Sequence, residues 1–381
     1  MKKKICVYIG SRANYSSIKA AMSAIDSHPE LELQLLTGAS AVEEKFGNVE
    51  KLINQDGFKT AFTFKNLQEE TTPYAMAVSA GKGMIESAHG LDVLKPDYLV
   101  VVGDRFDVIP VAMSALMMNI PIAHTMGGEV SGTVDESIRH ALTKISHIHF
   151  PANEDARERI IKMGENPEVV FNVGCPRMDL IKDELKRDSV QELKAYFSEK
   201  TGMNDFDFSK PFLLVSHHPV TTEFGQNAES ARNILAALEL LKLPTIFLLP
   251  NSDAGGDEIK TTVLKIQRPW LKTFDNLPTP IYIHLMNKAS ALIGNSSSGI
   301  REGAFIGTPV VNVGSRQTAR LVGQNVIQVE PKEELIKHAI ESQLKHGKYA
   351  HDDLYGNGTA GSKIAEILSK MSVNVQKVIH Y

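Results

Sequence analysis

Apolar residues in this chain gather in short, almost unbroken runs instead of alternating with polar ones. In the first half the runs are KICVYIG (4–10), LELQLLTG (31–38), DYLVVVGD (97–104), PIAHTMG (121–127), HIHFPA (147–152) and VVFNVG (169–174). Helix-like stretches separate them, at 16–25, 76–91, 107–119, 135–145 and 154–164. Continuous apolar strands alternating with helices predict a parallel sheet covered on both faces. The second half repeats the pattern, with strands expected at 212–219, 244–251, 280–285, 290–296, 309–314 and 326–330. A length of 381 residues accommodates two domains. The expected fold is α/β: two Rossmann-like, doubly wound domains with an interdomain cleft. The domains are placed at 1–175 and 176–361, with the linker within a polar stretch, 175–210, expected to be helical and then loop-like, and a helix and tail at 362–381. Ligands of such sheets bind beyond the carboxyl ends of the strands.

Composition narrows the class. With 43% hydrophobic and 23% charged residues and a net charge of -4, the chain lacks the basic footprint of a nucleic-acid binder. No apolar run approaches the roughly 20 residues of a membrane span. The apolar run behind the N-terminal lysines stops at Ser11-Arg12, too early for a signal peptide. Two cysteines, Cys6 and Cys175, exclude a disulfide framework. These features predict a reduced, cytoplasmic protein with no membrane or nucleic-acid partner. The 13 histidines show no HExxH spacing, so no metal is expected. The first strand leads into GSRANYSS (10–17) without a GxGxxG, which argues against NAD, and no cofactor is expected.

The strand ends carry the candidate chemistry. Arg12 sits in the first turn, where an arginine can grip phosphate or carboxylate or form a surface ion pair. Asp104 follows a strand directly; it is either a free carboxylate or the cap of the next helix, a role open to Asp107 as well. The stretch HTMGGEVSGTVDESIRH (124–140) brings Glu129, Asp135 and Glu136 close to Arg139 and His140, more ionisable groups than a helix start requires. Gly127-Gly128 would let the backbone approach a ligand. His217 and His218 close a strand in HHPVTTE (217–223), and Asn251 and Asp253 follow the next. In IGNSSSGIREG (293–303), Ser296, Ser297 and Ser298 open a helix, forming either an N-cap cluster or an anion site suited to a diphosphate. Glu302 lies inside that helix, where a carboxylate suits a ribose diol, and Arg316 and Arg320 follow the next strand.

Taken in order from about residue 10 to 320, GSRANYS, GDRFD, HTMGGEVSGTVDESIRH, HHPVTTE, IGNSSSGIREG and VGSRQTAR resemble the UDP-N-acetylglucosamine 2-epimerases, in their hydrolysing branch. The resemblance implies a glycosyltransferase-B fold, with the helix of 362–381 returning to the first domain. It implies conversion of UDP-N-acetylglucosamine and water to N-acetylmannosamine and UDP, by elimination of UDP and hydration of a 2-acetamidoglycal. A diacetamido 6-deoxy UDP-sugar (UDP-N,N'-diacetylbacillosamine), from the legionaminic acid branch, is the alternative substrate. Carried over by position, Asp104 and Asp135 are catalytic carboxylates, and His218 lies by the leaving phosphate. Arg12 reaches the diphosphate, Ser296 and Ser297 hold phosphate oxygens, Glu302 takes the ribose, and Arg316 lies on the nucleotide side. Asn251 and His284 belong to the uridine region, and Arg105 and Gly299 fall within the same binding motifs. Many relatives carry Glu where this chain has Met126; Glu129 or Glu136 would take over that role. Relatives form dimers or tetramers, so a homo-oligomer is expected. The rival readings are a glycosyltransferase, a non-hydrolysing epimerase and a non-catalytic UDP-sugar sensor.

Overall fold

The unbroken apolar runs become the strands of two sheets. The structure is a computed structural model that describes residues 2–44, 48–70, 72–130, 134–201, 203–204, 206–220, 227–250, 255–275 and 277–381. Two units divide the chain: Met1–Leu180 with Tyr355–Tyr381, and Ile181–Leu354.

The first unit holds strands β1 (Lys3–Ile9), β2 (Leu31–Thr37), β3 (Phe62–Thr63), β4 (Tyr98–Val102), β5 (Ile122–Thr125) and β6 (Ile148–Phe150). Its helices are α1 (Arg12–Ser27), α2 (Val49–Gln55), α3 (Pro73–Leu94), α4 (Val108–Met117), α5 (Val134–Ile145) and α6 (Glu154–Lys162), and α7 (Arg177–Glu184) spans the boundary between the two units. All strands are parallel, in the order β3-β2-β1-β4-β5-β6. Alternate residues of β1 explain its unbroken apolar character. Ile5, Val7 and Ile9 enter one buried cluster with Tyr15, Ile18 and Met22 of α1. Cys6 and Tyr8 enter another on the opposite face, with Val108, Val111 and Ala115 of α4.

The second unit holds α8 (Ser189–Thr201), β7 (Leu213–Ser216), α9 (Asn227–Leu241), β8 (Thr245–Leu248), α10 (Gly256–Leu264), β9 (Leu271–Phe274) and α11 (Thr279–Lys288). It continues with β10 (Ala291–Gly294), α12 (Ser297–Ile306), β11 (Val310–Val313), β12 (Val326–Val329) and α13 (Glu333–His346). Its parallel order is β12-β11-β10-β7-β8-β9. In each sheet the first strand and the fourth lie side by side, and the connections leave them in opposite directions. That switch point opens a crevice at their carboxyl ends. The crevices lie past β1 and β4 in the first unit and past β7 and β10 in the second.

The last helix, α14 (Ala360–Lys370), belongs to the first unit and packs on α1. Asp179 accepts from the Ala360 and Gly361 N–H groups at 3.1 and 2.9 Å, capping its start. A Cβ at Gly361 would stand 2.7 Å from the Ala20 carbonyl, so only glycine permits this approach. Beyond α14 the tail crosses the same unit. His147 meets the Val375 carbonyl at 3.1 Å, and the His380 N–H donates to the Gly164 carbonyl at 3.0 Å. Lys377 donates to the Glu165 carboxylate at 2.6 Å and to carbonyls at the end of α5.

Two local expectations need correction. Residues 280–285 form part of helix α11, not a strand, because Pro280 fits the first turn of a helix and a short apolar run carries no decisive period. Residues 169–174 form no strand; Val170 makes a single bridge to His149. Within the stretch 175–210, expected to be helical and then loop-like, residues 189–201 form α8, which buries Ser189, Leu193 and Phe197 and packs on α11.

Candidate active site

In the first unit the crevice is built from the ends of β4 and β5. Gly103, with φ of 71°, turns the chain out of β4 and presents Asp104. His124 of β5 is wholly buried, and its Nε2 meets the Gly103 carbonyl at 2.7 Å. Burial lowers the His124 pKa to about 4, although the Gly103 bond acts in the other direction, so the ring is neutral and this nitrogen is the donor. The side chain of Asp104 is gripped by Arg139 of α5, which is only 2% exposed. Arg139 donates from Nε at 2.8 Å and also from Nη2, and both bonds end on Oδ2 of Asp104. The remaining oxygen, Oδ1, makes no hydrogen bond among the described residues. Through Nη1, Arg139 also holds the Glu129 carbonyl at 2.6 Å. One buried guanidinium thus fixes the carboxylate after β4 and the loop after β5.

Asp107 occupies the N-cap position of α4 without capping it. Its carboxylate accepts from Arg105 at 3.0 Å and from Tyr8 at 3.5 Å. Arg105 is therefore committed to Asp107, and Asp135, in the first turn of α5, adds its field to the guanidinium. Glu129 is buried and Glu136 pairs with His140 at 3.5 Å. Arg12 is exposed at the first position of α1 and makes no ion pair among the described residues. Ser131 and Thr133 lie outside the described residues.

The two glycines of the loop serve the protein's own packing. A Cβ at Gly127 would stand 2.8 Å from the His124 ring, and one at Gly128 2.4 Å from the Ala156 carbonyl. Met126 adopts φ of 62°, a left-handed conformation uncommon for a side chain of this kind. Such strain clusters at functional sites. Its side chain packs on the core.

In the second unit the crevice lies past β7 and β10. Ser296 caps α12, accepting from the Ser298 N–H, and its hydroxyl meets that of Ser298 at 2.8 Å. Ser298 in turn meets Tyr282 at 2.6 Å. Ser297 is half-buried at the first position of the helix. Helix N–H groups and hydroxyls converge here, the arrangement that receives an anion. His217 is buried against Ser230 at 3.0 Å and its pKa falls to about 3, through burial first and then the charges of His218 and Arg316. Burial, then Arg316, lowers His218 to about 4, so both rings are neutral at neutral pH. Arg316 is exposed after β11 and donates to the Asn295 carbonyl at 3.1 Å.

Other expected residues are placed differently. His284 is fully buried on α11, with Nε2 on Glu184 at 2.8 Å and Nδ1 on Ser189 at 2.8 Å, so neither ring nitrogen remains for a uridine. Gly299 serves helix packing, since a Cβ there would stand 2.9 Å from Leu292. Glu302 lies inside α12 and is 6% exposed. Asn251 and Asp253 lie outside the described residues. Sequence reasoning assigned no role to three residues that organise the crevices: His124, Arg139 and Asn295. Arg139 had a visible signal, a charge beside Ile138 and Leu142 on the apolar face of α5.

Two doubly wound α/β units, each with a polar crevice at its switch point, form a frame that binds ligands beyond the carboxyl ends of the strands. Residues 23–369 match the family UDP-N-acetylglucosamine 2-epimerase. The UDP-N-acetylglucosamine 2-epimerase of Neisseria meningitidis serogroup B is 31% identical, over 99% of this chain and 98% of its own. The hydrolyzing UDP-N,N'-diacetylbacillosamine 2-epimerase of Legionella pneumophila is 30% identical, over 99% and 98%. Among solved structures, UDP-GlcNAc 2-epimerase from Neisseria meningitidis bound to UDP-GlcNAc superposes with a TM-score of 0.81 at 15% identity, over 97% of this chain and 100% of that one. The chain belongs to the UDP-N-acetylglucosamine 2-epimerase family.

Proposed function

We propose that the protein is a hydrolysing 2-epimerase, turning UDP-N-acetylglucosamine and water into N-acetylmannosamine and UDP. The observation that carries this reading is Asp104 at the β4 switch point, with Oδ2 locked on Arg139 and Oδ1 left for a proton. In the first stage a carboxylate takes the C2 proton while the C1–O bond breaks and its electron pair leaves with UDP, giving a 2-acetamidoglycal. In the second, water adds its oxygen to C1 and gives up one proton to a carboxylate, while a carboxylic acid protonates C2 from the face opposite the lost hydrogen. Asp104 and Asp135 are the proposed proton carriers, and Glu129 or Glu136 supplies the group absent at Met126. Each such transfer contributes about 10²–10⁴-fold.

Neutral His218 and the α12 N-terminus with Ser296 and Ser297 receive the leaving diphosphate, together with Arg12 and Arg316. Glu302 is proposed for the ribose. Hydrolysis is favoured over simple epimerisation by the relatives at 30% and 32% identity whose names carry the word hydrolyzing. Both act on diacetylbacillosamine nucleotides, which supports that sugar as the second reading. We propose a cytoplasmic homo-oligomer, which light scattering on purified protein would read.

The test is proton NMR of the protein with each UDP-sugar in deuterated water, without an acceptor. Release of UDP with a free 2-epimeric sugar bearing deuterium at C2 is expected. A UDP-linked 2-epimer with no UDP release would replace this reading with the non-hydrolysing one. Binding of UDP without turnover of either sugar would leave the sensor.

A further inference from the structure

We propose that Asn295 is a positioning residue that holds His218 and Arg316 in register for the departure of the diphosphate, a role that rests on the function proposed above. Asn295 follows β10 at the switch point of the second sheet and is 0% exposed. Backbone pairing of β7 with β10 ends at Ser216 and Gly294. Gly294 has φ of 129°, and a Cβ there would lie 2.2 Å from the Ser216 carbonyl, so the two chains cross in close contact. The Asn295 N–H donates to that carbonyl at 3.2 Å.

The side chain then takes over from the sheet. Its Oδ1 accepts from the His218 N–H at 2.7 Å, and its Nδ2 donates to the His218 carbonyl at 2.8 Å. An amide is matched to a peptide group in this way because it offers one acceptor and one donor side by side. Aspartate lacks the donor, glutamine is one methylene too long for a closed site, and alanine offers neither bond. The next residue after His218 is Pro219, which has no N–H of its own with which to fix the turn.

The main chain of Asn295 holds the opposite loop. Its carbonyl accepts from Arg316 Nη1 at 3.1 Å and from Gln317 Nε2 at 2.9 Å. Asn295 immediately precedes Ser296, the cap of α12. One buried residue therefore joins the loops after β7, β10 and β11. Groups that stabilise charge on a leaving oxygen act by being in place before the charge forms. Asn295 touches no reacting atom in this scheme and acts through His218 and Arg316.

The experiment compares wild type, Asn295→Ala and Gln343→Leu. The control Gln343 is another buried amide of the same unit, bonded to the Val310 and Asn325 carbonyls and remote in role from His218. Three quantities are read: the His218 ring titration by NMR without ligand, UDP affinity by calorimetry, and turnover. The ring is shielded and faces Arg316, with His217 beside it, so its low pKa reports its placement. In N295A the His218 pKa should climb toward its ordinary value, UDP affinity should fall about tenfold, and kcat should fall about 10²-fold, the scale of losing one preorganised donor. In Gln343→Leu all three should stay within about twofold of wild type, a change too small to matter beside tenfold steps. Should N295A fail to fold, Asn295→Ser, which leaves a hydroxyl in the polar site, is measured in the same way. An unchanged His218 titration with UDP affinity within twofold of wild type would overturn the proposal. If the wild-type protein binds UDP but turns over no UDP-sugar, the functional reading fails, while the titration and affinity still decide the role of Asn295.

Discussion

The two units hold their crevice residues by opposite means. In the first, charges do the holding: Arg139 fixes Asp104 and the Glu129 loop, and Arg105 is bound to Asp107. In the second, a neutral amide and hydroxyls do it: Asn295 fixes the His218 turn and accepts Arg316, and Ser296 caps α12. Under the proposed function, the difference follows from what each crevice has to present. A carboxylate drawn out of water needs a countercharge, and a buried arginine supplies it with directional bonds. A crevice that receives a diphosphate is better served by anchors without charge, since a fixed carboxylate there would repel the ligand and a paired arginine would be spent. Under the proposed function, the first unit is arranged around protons and the second around an anion.

The largest expected effect tests the charged side of this contrast. Asp104→Asn keeps the shape and removes the charge facing Arg139. Turnover should fall by about 10²–10⁴-fold, while UDP affinity, which belongs to the neutral crevice, should hold. The variant should also lose stability, because Arg139 is left buried beside a neutral partner. Steady-state kinetics and calorimetry on one preparation read both. Loss of UDP binding equal to the loss of turnover would dissolve the contrast.

The contrast continues away from the crevices. Glu165 of the first unit is buried and accepts from Lys144 and Lys377, each at 2.6 Å, and from His149 at 3.1 Å. Burial works to raise its pKa; the bonds from His149, Lys144 and Lys377 outweigh it and bring the pKa from 4.5 to about 2. A folded pKa below the unfolded one adds stability that is complete above the unfolded value. That stability is lost as pH falls from about 4.5 toward 2, and it amounts to on the order of 3 kcal/mol. Hydrogen exchange over residues 134–165 should therefore show extra opening in wild type between pH 5 and 2.5. Glu165→Gln should be less protected at pH 5 and lose less on acidification. Parallel acid profiles for the two proteins would rule Glu165 out as the source.

Much of this was legible in the sequence, and the exceptions have physical reasons. Central strands such as β1 and β4 announce themselves because both faces are buried, and switch-point residues such as Asp104, His218 and Ser296 stand directly after such runs. The edge strand β9, LKTF, alternates weakly and passed unnoticed, while the apolar run 280–285 was misread because burial on α11 leaves no visible period. Gly127-Gly128 signalled a close approach correctly, but the object approached is His124 and Ala156 of the same chain. Arg139 and Asn295 act on partners 35 and 77 residues away. No local pattern encodes such a bond; it exists only once the parallel sheets bring distant strand ends together.

The smallest effect sharpens the neutral side. Gln343 of α13 is fully buried, donates to the Val310 and Asn325 carbonyls at 2.7 and 2.9 Å, and accepts from Tyr349 at 2.8 Å. Gln343→Leu removes these bonds but fills much of the same space; the Asn325 carbonyl keeps the Val310 N–H, so the cost is the lost side-chain bonds, about 1–3 kcal/mol. Urea unfolding followed by the fluorescence of Trp270, the single tryptophan and a residue of the second unit, reads it directly. The hydrogen-bond partners of Gln343 among the described residues are two carbonyls and a hydroxyl, so the difference between variant and wild type should be the same at pH 6 and pH 8. A difference that changes with pH would mean that the second unit, too, is held by charge, and would undo the division of labour inferred for the two crevices.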